Sequence, residues 1–436
     1  MSSAAKNTRA DPTINRLDPA DRAAHDWYRF VLSFPPHLVR EYLARFGCAQ
    51  GSTVLDPFCG TGTTLVECRR AGIDSVGIEA NPMAHLASSA KVDWRPDPGE
   101  LRRHAETVAD AANRQLEADG MLDEVLPLLP SSQQCELRRL TEQEECLLLR
   151  GSISPRPLHK VLVLREHLSH LRDDRFFSHE RLALAKALVT SIGNLKFGPE
   201  VGVGPQKPDT AVVNPWLAEV CTMAQDLRAL RSLPQADATV HLGDARDVGG
   251  MLPPTSVDAV FTSPPYPNEK DYTRTTRLES VLLGLIRTKE DLRALKQSLV
   301  RSNTRNVYKA DADDALVAGH PEIERIAADI ESRRVELGKT SGFERQYARV
   351  TKLYFGGMAR HLGELRSALK PGAYAAYVVG DQASYLRVMI RTGHLLAGIA
   401  RGMGYEVAGI NLFRTRFATA TAEQLREEVV VLRWPG

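Results

Sequence analysis

Long apolar runs are missing from this chain of 436 residues. None approaches the roughly 18–20 residues that a membrane span needs, and the opening Met-Ser-Ser-Ala-Ala-Lys-Asn-Thr-Arg holds no apolar leader core. Cysteine is sparse: Cys48, Cys59, Cys68, Cys135, Cys146 and Cys221 contain no Cys-x-x-Cys pair, so a structural zinc site is not expected and no metal is assigned. The chain reads as cytoplasmic, with no membrane partner and with reduced thiols acting as small apolar residues. Lysine is scarce too, at 13 of the 56 Lys and Arg residues. Arginine suits bidentate contacts to phosphate and guanine, although a GC-rich genome produces the same excess. None of the lysines has Asp or Glu two residues before it, which argues against a fused nuclease built on an acidic-x-Lys pair. Net charge is small, 56 basic against 54 acidic residues for a formal +2. Any nucleic-acid face must therefore be gathered on one side and offset elsewhere.

What is present is ordinary for a globular protein: 43% hydrophobic and 25% charged residues. Residues 1–24 are polar, without apolar period, and read as a flexible arm. The apolar pattern then switches between strand-like and helical segments. Thr53–Leu55 is a short strand, Thr63–Ala71 a helix, and Ser75–Ile78 a second strand. Residues 99–235 read as mainly helical, with helices expected over Leu101–Leu116, Cys135–Leu149, Leu158–Leu171 and His179–Leu195, then a Gly/Pro-rich loop around Phe197–Pro205. Strands resume at Thr239–Leu242 and Val257–Thr262. A second mainly helical stretch occupies 268–345, and strands close the chain at Ala373–Val379, Tyr405–Phe413 and Glu428–Trp434. The expected fold is an α/β, doubly wound, Rossmann-like sheet, with a core of 25–98 plus 236–436 split by two helical insertions.

Two motifs carry chemistry. The first, Asp56-Pro57-Phe58-Cys59-Gly60-Thr61-Gly62-Thr63-Thr64, lies between a strand and a helix. Its glycines let backbone approach a ligand closely, and the helix start offers free N–H groups. About 20 residues on, Glu79 ends the next strand, where a carboxylate accepts both ribose hydroxyls of a nucleoside. No Gly-Lys-Ser/Thr completes this turn, and without Lys or Arg beside Asp56 a polyphosphate is disfavoured. A nucleoside with a cationic centre fits better. S-adenosylmethionine is such a ligand, with Asp56 placed to hold its ammonium.

The second motif, Thr262-Ser263-Pro264-Pro265-Tyr266, follows an apolar strand. The prolines cannot extend a ladder, which leaves the carbonyls of Ser263 and Pro264 and the Ser263 hydroxyl as acceptors. Tyr266 supplies a flat face for stacking. Acceptors beside an aromatic plate describe a pocket for a planar heterocycle that bears an amino group.

Together these motifs resemble those of the DNA amino-methyltransferases, which methylate cytosine N4 or adenine N6. The resemblance covers about 25–98 and 236–436. It implies a cofactor site lined by Phe58, Gly60, Gly62, Thr63 and Thr64, with Glu79 on the ribose and Asp244 on the adenine amino group. Phe34-Pro35-Pro36 resembles the segment that closes over the methionine end. Ser263, Pro264, Pro265 and Tyr266 would be the catalytic tetrad, and serine in first place favours cytosine N4. Carbon-5 methylation needs a Pro-Cys nucleophile, which the chain lacks. The implied partners are double-stranded DNA and a restriction endonuclease on a separate chain, with the enzyme a monomer or homodimer. Adenine N6, a base amine of RNA, and a non-catalytic nucleic-acid-binding subunit remain as alternatives.

Residues 99–235 are the leading candidate for target recognition. DNA contacts are also expected from Lys270, Arg274, Arg301, Arg305 and Lys309 of the second insertion, and from Lys207 beside the Gly/Pro loop. With Asp56, Glu79 and Asp244 at the cofactor, the charge balance predicts an acidic cofactor side set against an arginine-lined DNA face.

Overall fold

The computed structural model describes residues 17–29, 33–124, 136–197, 200–268, 270–418 and 423–436. In chain order its strands are β1 (Thr53–Asp56), β2 (Asp74–Glu79), a small hairpin of β3 (Leu195–Phe197) and β4 (Val201–Val203), then β5 (Ala238–Leu242), β6 (Val257–Thr262), β7 (Leu369–Gly380), β8 (Glu406–Ala418) and β9 (Glu423–Arg433). All but the small hairpin form one seven-stranded sheet in the order β5-β2-β1-β6-β7-β9-β8. Strands β5, β2, β1, β6 and β7 pair in parallel. β9 runs antiparallel to β7, and β8 antiparallel to β9. β8 therefore shares the direction of the five, and β9 alone is reversed. The expected doubly wound sheet is the one observed.

The central strands are buried on both faces, and strand alternation divides their residues between the two. Val54, Ala259, Phe261, Ala376, Val378, Val429 and Val431 pack on Leu38, Val39, Tyr42 and Leu43 of helix α1 (Pro36–Arg45). Their neighbours Leu55, Val260, Ala375, Tyr377, Val379, Val430 and Leu432 point the other way, into a second core.

Helices α2 (Thr63–Arg70) and α3 (Pro82–Val92) follow β1 and β2. The first insertion adds α4 (Pro98–Ala118), α5 (Pro155–His170), α6 (Phe177–Ala187) and α7 (Val213–Leu230). Leu101, Val161, Leu182 and Trp216 of these helices share one continuous apolar cluster with Leu65, Val66, Met83 and Leu86 of α2 and α3. The insertion is thus fused to the core rather than packed separately.

The second insertion contributes α8 (Lys289–Ser298) and α9 (Pro321–Glu336), and α10 (Tyr347–Ala368) then leads into β7. Inside α10, Gly356 lies so near the Asp313–Val317 turn that a Cβ there would sit 1.9 Å from the Asp313 carbonyl oxygen. Backbone cannot yield as a flexible side chain does. Gly356→Ala is therefore expected to lower stability by about 1–3 kcal/mol, read as a fall in the thermal midpoint. An unchanged midpoint would show that this close approach is not maintained.

Several expectations change. Leu17 is buried, and Asp21 pairs with Arg40 of α1 at 2.9 Å. The chain is therefore fixed to the core from residue 17, and what remains of the expected arm, residues 1–16, lies outside the described residues. The helix expected over Cys135–Leu149 shrinks to Glu142–Glu145, because Thr141 starts it with a capping box and Leu147 turns inward soon after. Cys135 lies outside the described residues. The Gly/Pro loop contains the β3–β4 hairpin. β8 and β9 each run about five residues further than their apolar patterns suggest. Among the described residues no helix is long and apolar enough to cross a membrane.

Candidate active site

In an open sheet of this kind the ligand crevice forms at the carboxyl ends of the strands where the winding reverses. Here the chain proceeds from β1 to β2 and β5 on one side and returns to β6 and β7 on the other. The reversal falls between β1 and β6, which end in Asp56 and Thr262. The two motifs, nearly 200 residues apart in sequence, therefore meet at neighbouring strand ends.

They touch directly. The Thr262 hydroxyl donates to Asp56 Oδ1 at 2.6 Å, and the Phe58 N–H reaches the same oxygen at 3.2 Å. Thr64 donates to the Phe261 carbonyl at 3.2 Å, which ties α2 to β6. Asp56 is fully buried, and burial pushes its carboxyl up to about 6. Among the described residues its other oxygen, Oδ2, has no hydrogen-bond partner.

The turn needs its glycines for two reasons. Gly62 takes φ +84° at the start of α2, and a Cβ there would lie 3.0 Å from Ser88 Cβ of α3. Gly60 has φ +51° and nothing within 4 Å of where a Cβ would stand, so the backbone is open to a ligand. The Gly60 N–H donates to Glu79 Oε2 at 2.8 Å and the Asn81 N–H to Oε1 at 2.7 Å. Each carboxylate oxygen keeps a second lone pair for a hydroxyl. Burial pushes Glu79 up to about 7.

Phe34 packs edge-on against Phe261 at 5.4 Å, and Pro35 caps α1. With Pro36, Phe34 borders a cleft that also contains Thr61 and Thr63. Phe58 stands edge-on to His361 at 5.0 Å. His361 Nδ1 lies 2.7 Å from the Ala245 carbonyl, so it must donate there, and Nε2 accepts from the Tyr377 hydroxyl at 2.8 Å. Burial holds this imidazole down at about 4, consistent with a neutral ring that props Phe58.

In the second motif the Ser263 hydroxyl donates to the Val378 carbonyl of β7 at 3.0 Å. Its proton is thereby committed, and its lone pairs remain to accept. The Tyr266 ring lies against Gly380 at the end of β7, with Cε2 3.0 Å from where a Cβ would stand. Burial pushes the Tyr266 phenol above its usual range. Pro264 and Pro265 carry the chain between these two contacts.

Other expected residues are placed differently. Asp244 receives Arg246 at both oxygens, Nε at 3.0 Å and a terminal nitrogen at 2.7 Å, and Arg246 also pairs with Asp313 at 2.6 Å. A cofactor amino group would compete with that ion pair. Arg301 is buried and pairs with Asp311 at 2.8 Å, so its guanidinium holds chain rather than phosphate. Lys207 turns its ammonium onto the carbonyls of Ser191 (2.6 Å) and Gly193 (2.9 Å). Arg305 and Lys309 are exposed, and Lys270 and Arg274 are half-buried just beyond the tetrad. The tripeptide Gly338-Lys339-Thr340 only terminates α9, with Gly338 at φ +62° and no strand leading into it.

The sequence reading missed a cluster beside Tyr266. A Cβ on Gly380 would also lie 3.3 Å from Glu427 Cγ. Glu427 is buried and bound by Arg414 and, at 2.9 Å, by Arg416. Gly380 is the last β7 residue in register with β9, opposite Glu427. The hairpin therefore continues past the end of β7 on the tetrad's side of the sheet. Its signal in the sequence is charge alternation rather than an apolar run.

A sheet of this order, with these two loops joined at its switch point, has the fold of the S-adenosylmethionine-dependent methyltransferases. Residues 7–89 match the model of the N6_N4_Mtase family, described as DNA methylase. The chain is 25% identical over 437 residues to the Type II methyltransferase M.BsoBI of Geobacillus stearothermophilus, covering 95% of this chain and 84% of that one. It is 22% identical over 439 residues to the Type II methyltransferase M.AvaI of Nostoc sp., covering 94% and 86%. A 68-residue stretch is 38% identical to the Type II methyltransferase M.MjaII of Methanocaldococcus jannaschii, covering 16% and 13%. The chain is thus similar to DNA methylases over residues 7–89 and to Type II methyltransferases over most of its length.

Proposed function

We propose that this protein methylates the exocyclic N4 amine of a cytosine turned out of double-stranded DNA at a specific short sequence, with a restriction endonuclease on a separate chain as its companion. The observation that carries the reading is the 2.6 Å contact between Thr262 and Asp56, because it sets an amine-binding loop beside a nucleoside-binding one. The match of residues 7–89 to a family model described as DNA methylase supports DNA as the substrate.

The residues present fit the cofactor. Asp56 Oδ2 is a buried acceptor without a partner among the described residues, as an ammonium requires. Gly60 leaves room beside the backbone, and Glu79 keeps lone pairs for the ribose. When bound, S-adenosylmethionine supplies an electrophilic methyl group and leaves as a thioether.

The protein's part is placement. Ser263 Oγ and the Pro264 carbonyl accept the N4 hydrogens, which localises the nitrogen lone pair and fixes its direction. Tyr266 stacks on the extrahelical base and offsets part of the few kcal/mol that unstacking costs. A serine whose proton already goes to Val378 is no base, so the amine sheds its proton to solvent water after it gains the methyl.

Long-read modification sequencing of DNA from cells expressing the protein tests this directly. The expected result is N4-methylcytosine at one recurring short sequence. N6-methyladenine there would overturn the cytosine assignment. Methyl transfer to RNA but not to DNA, with labelled cofactor in vitro, would overturn the DNA assignment.

A further inference from the structure

Asp56 and Glu79 are not the only charged groups near the Gly-rich turn. The cleft bordered by Phe34, Thr61 and Thr63 is also lined by His25, Arg29 and Lys91. Lys91 lies in the last turn of α3 and is 1% exposed. A buried ammonium normally needs partners. Lys160, which is equally buried, has them: Asp209 at 2.8 Å and the carbonyls of Asp123 and Thr210 at 3.2 Å. Lys91 Nζ has no hydrogen-bond or ion-pair partner among the described residues.

The charged groups facing Lys91 are Arg29 and Asp26 of the N-terminal segment, Lys186 of α6, and His25. Lys186 is paired with Glu219 at 2.9 Å and His25 with Glu67 at 2.8 Å. Of these groups, Arg29 and Lys91 have no bonded partner among the described residues. Burial holds the Lys91 ammonium down at about 7, consistent with a group awaiting an anion.

We propose that Lys91, assisted by Arg29, is the counter-ion for the carboxylate at the amino-acid end of the cofactor. The inference rests on the cofactor reading above. That end carries an ammonium and a carboxylate on one carbon. Asp56 serves the first, and the turn from Asp56 to Thr64 contains no cation for the second. Phe34 and the Thr61 and Thr63 hydroxyls, from the turn itself, border the same cleft as the two cations. The adenosine end, at Glu79, is not involved.

Calorimetry on the full chain separates the two ends. S-adenosylhomocysteine has the whole amino-acid end, and 5′-methylthioadenosine has none. Lys91→Gln is expected to weaken S-adenosylhomocysteine about 30-fold and to leave methylthioadenosine within threefold. Arg29→Gln should act in the same direction, more weakly. Equal weakening of both ligands, or no weakening of either, would overturn the inference while leaving the cofactor reading intact. If the wild-type protein bound neither ligand, the cofactor reading would fall and the inference with it. A wild-type measurement guards against a variant that does not fold. At pH 8, S-adenosylhomocysteine should take up about one proton more than methylthioadenosine does, read in buffers of different ionisation enthalpy. Equal uptake by both would overturn the inference.

Discussion

Replacing Glu79 by alanine is expected to weaken cofactor binding at least about 100-fold, the largest effect on binding in this molecule. Two hydroxyl-to-carboxylate hydrogen bonds are lost, each worth about 1.5–3 kcal/mol. The same carboxylate holds the N–H groups of Gly60 and Asn81, so its removal also loosens the turn. Glutamine is not a mild substitute. Its amide offers one acceptor oxygen where the site uses two, and its NH2 would face a backbone N–H. The pH dependence has a defined sign. Burial places Glu79 at about 7, and it must be ionised to accept both ribose hydroxyls; methylthioadenosine carries no ammonium, so Asp56 does not enter. Affinity for methylthioadenosine should therefore rise as pH increases from 6 to 8 and flatten above that. Calorimetry across this range checks both statements. Affinity that is flat with pH, or Glu79→Ala within threefold of wild type, would remove Glu79 from the cofactor site.

Tyr266→Ala is expected to cut the single-turnover rate of methyl transfer about 100-fold while cofactor affinity stays within twofold. Stacking of an unpaired base on an aromatic ring is worth about 1–3 kcal/mol, and loss of the ring also frees the base to rotate away from Ser263. Gly380 allows a graded test. An added Cβ would meet the ring at 3.0 Å, so Gly380→Ala should shift the plate without removing it and fall between wild type and Tyr266→Ala. Ser263→Ala should lower the rate with a similar sparing of cofactor binding, because its hydroxyl contacts the β7 carbonyl and not the turn. Loss of cofactor binding in these variants would point to collapse of the switch point. A rate within threefold of wild type in Tyr266→Ala would mean that the ring is not the base platform.

Particular residues show how far the site can be read without the structure. Asp56, Gly60, Gly62 and Glu79 are local: a strand, a turn that needs positive φ, and the next strand end place them within 24 residues. Ser263 to Tyr266 are equally local. Their pairing is legible because the two motifs together resemble those of the DNA amino-methyltransferases. Arg301 and Lys207 show the opposite limit. A cation in a sequence looks the same whether it meets phosphate or, as here, Asp311 and the carbonyls of its own loop. Asp244 was visible as a strand-end acid, but its partner Arg246 is itself held by Asp313, 67 residues further on.

The sequence by itself determined the sheet's character, the two chemical loops and the ligand class they suit. Those properties depend on backbone period, glycine conformation and side-chain type within short windows. Only the tertiary structure decided which charges are spent and which are free. It seals Arg301 and Asp244 into ion pairs, extends the β8–β9 hairpin with Arg416 past the tetrad, and leaves Lys91 buried beside the Gly-rich turn without a partner among the described residues. The physical reason is that a charge acts according to its desolvation and its neighbours, and for these residues the neighbours come from distant parts of the chain.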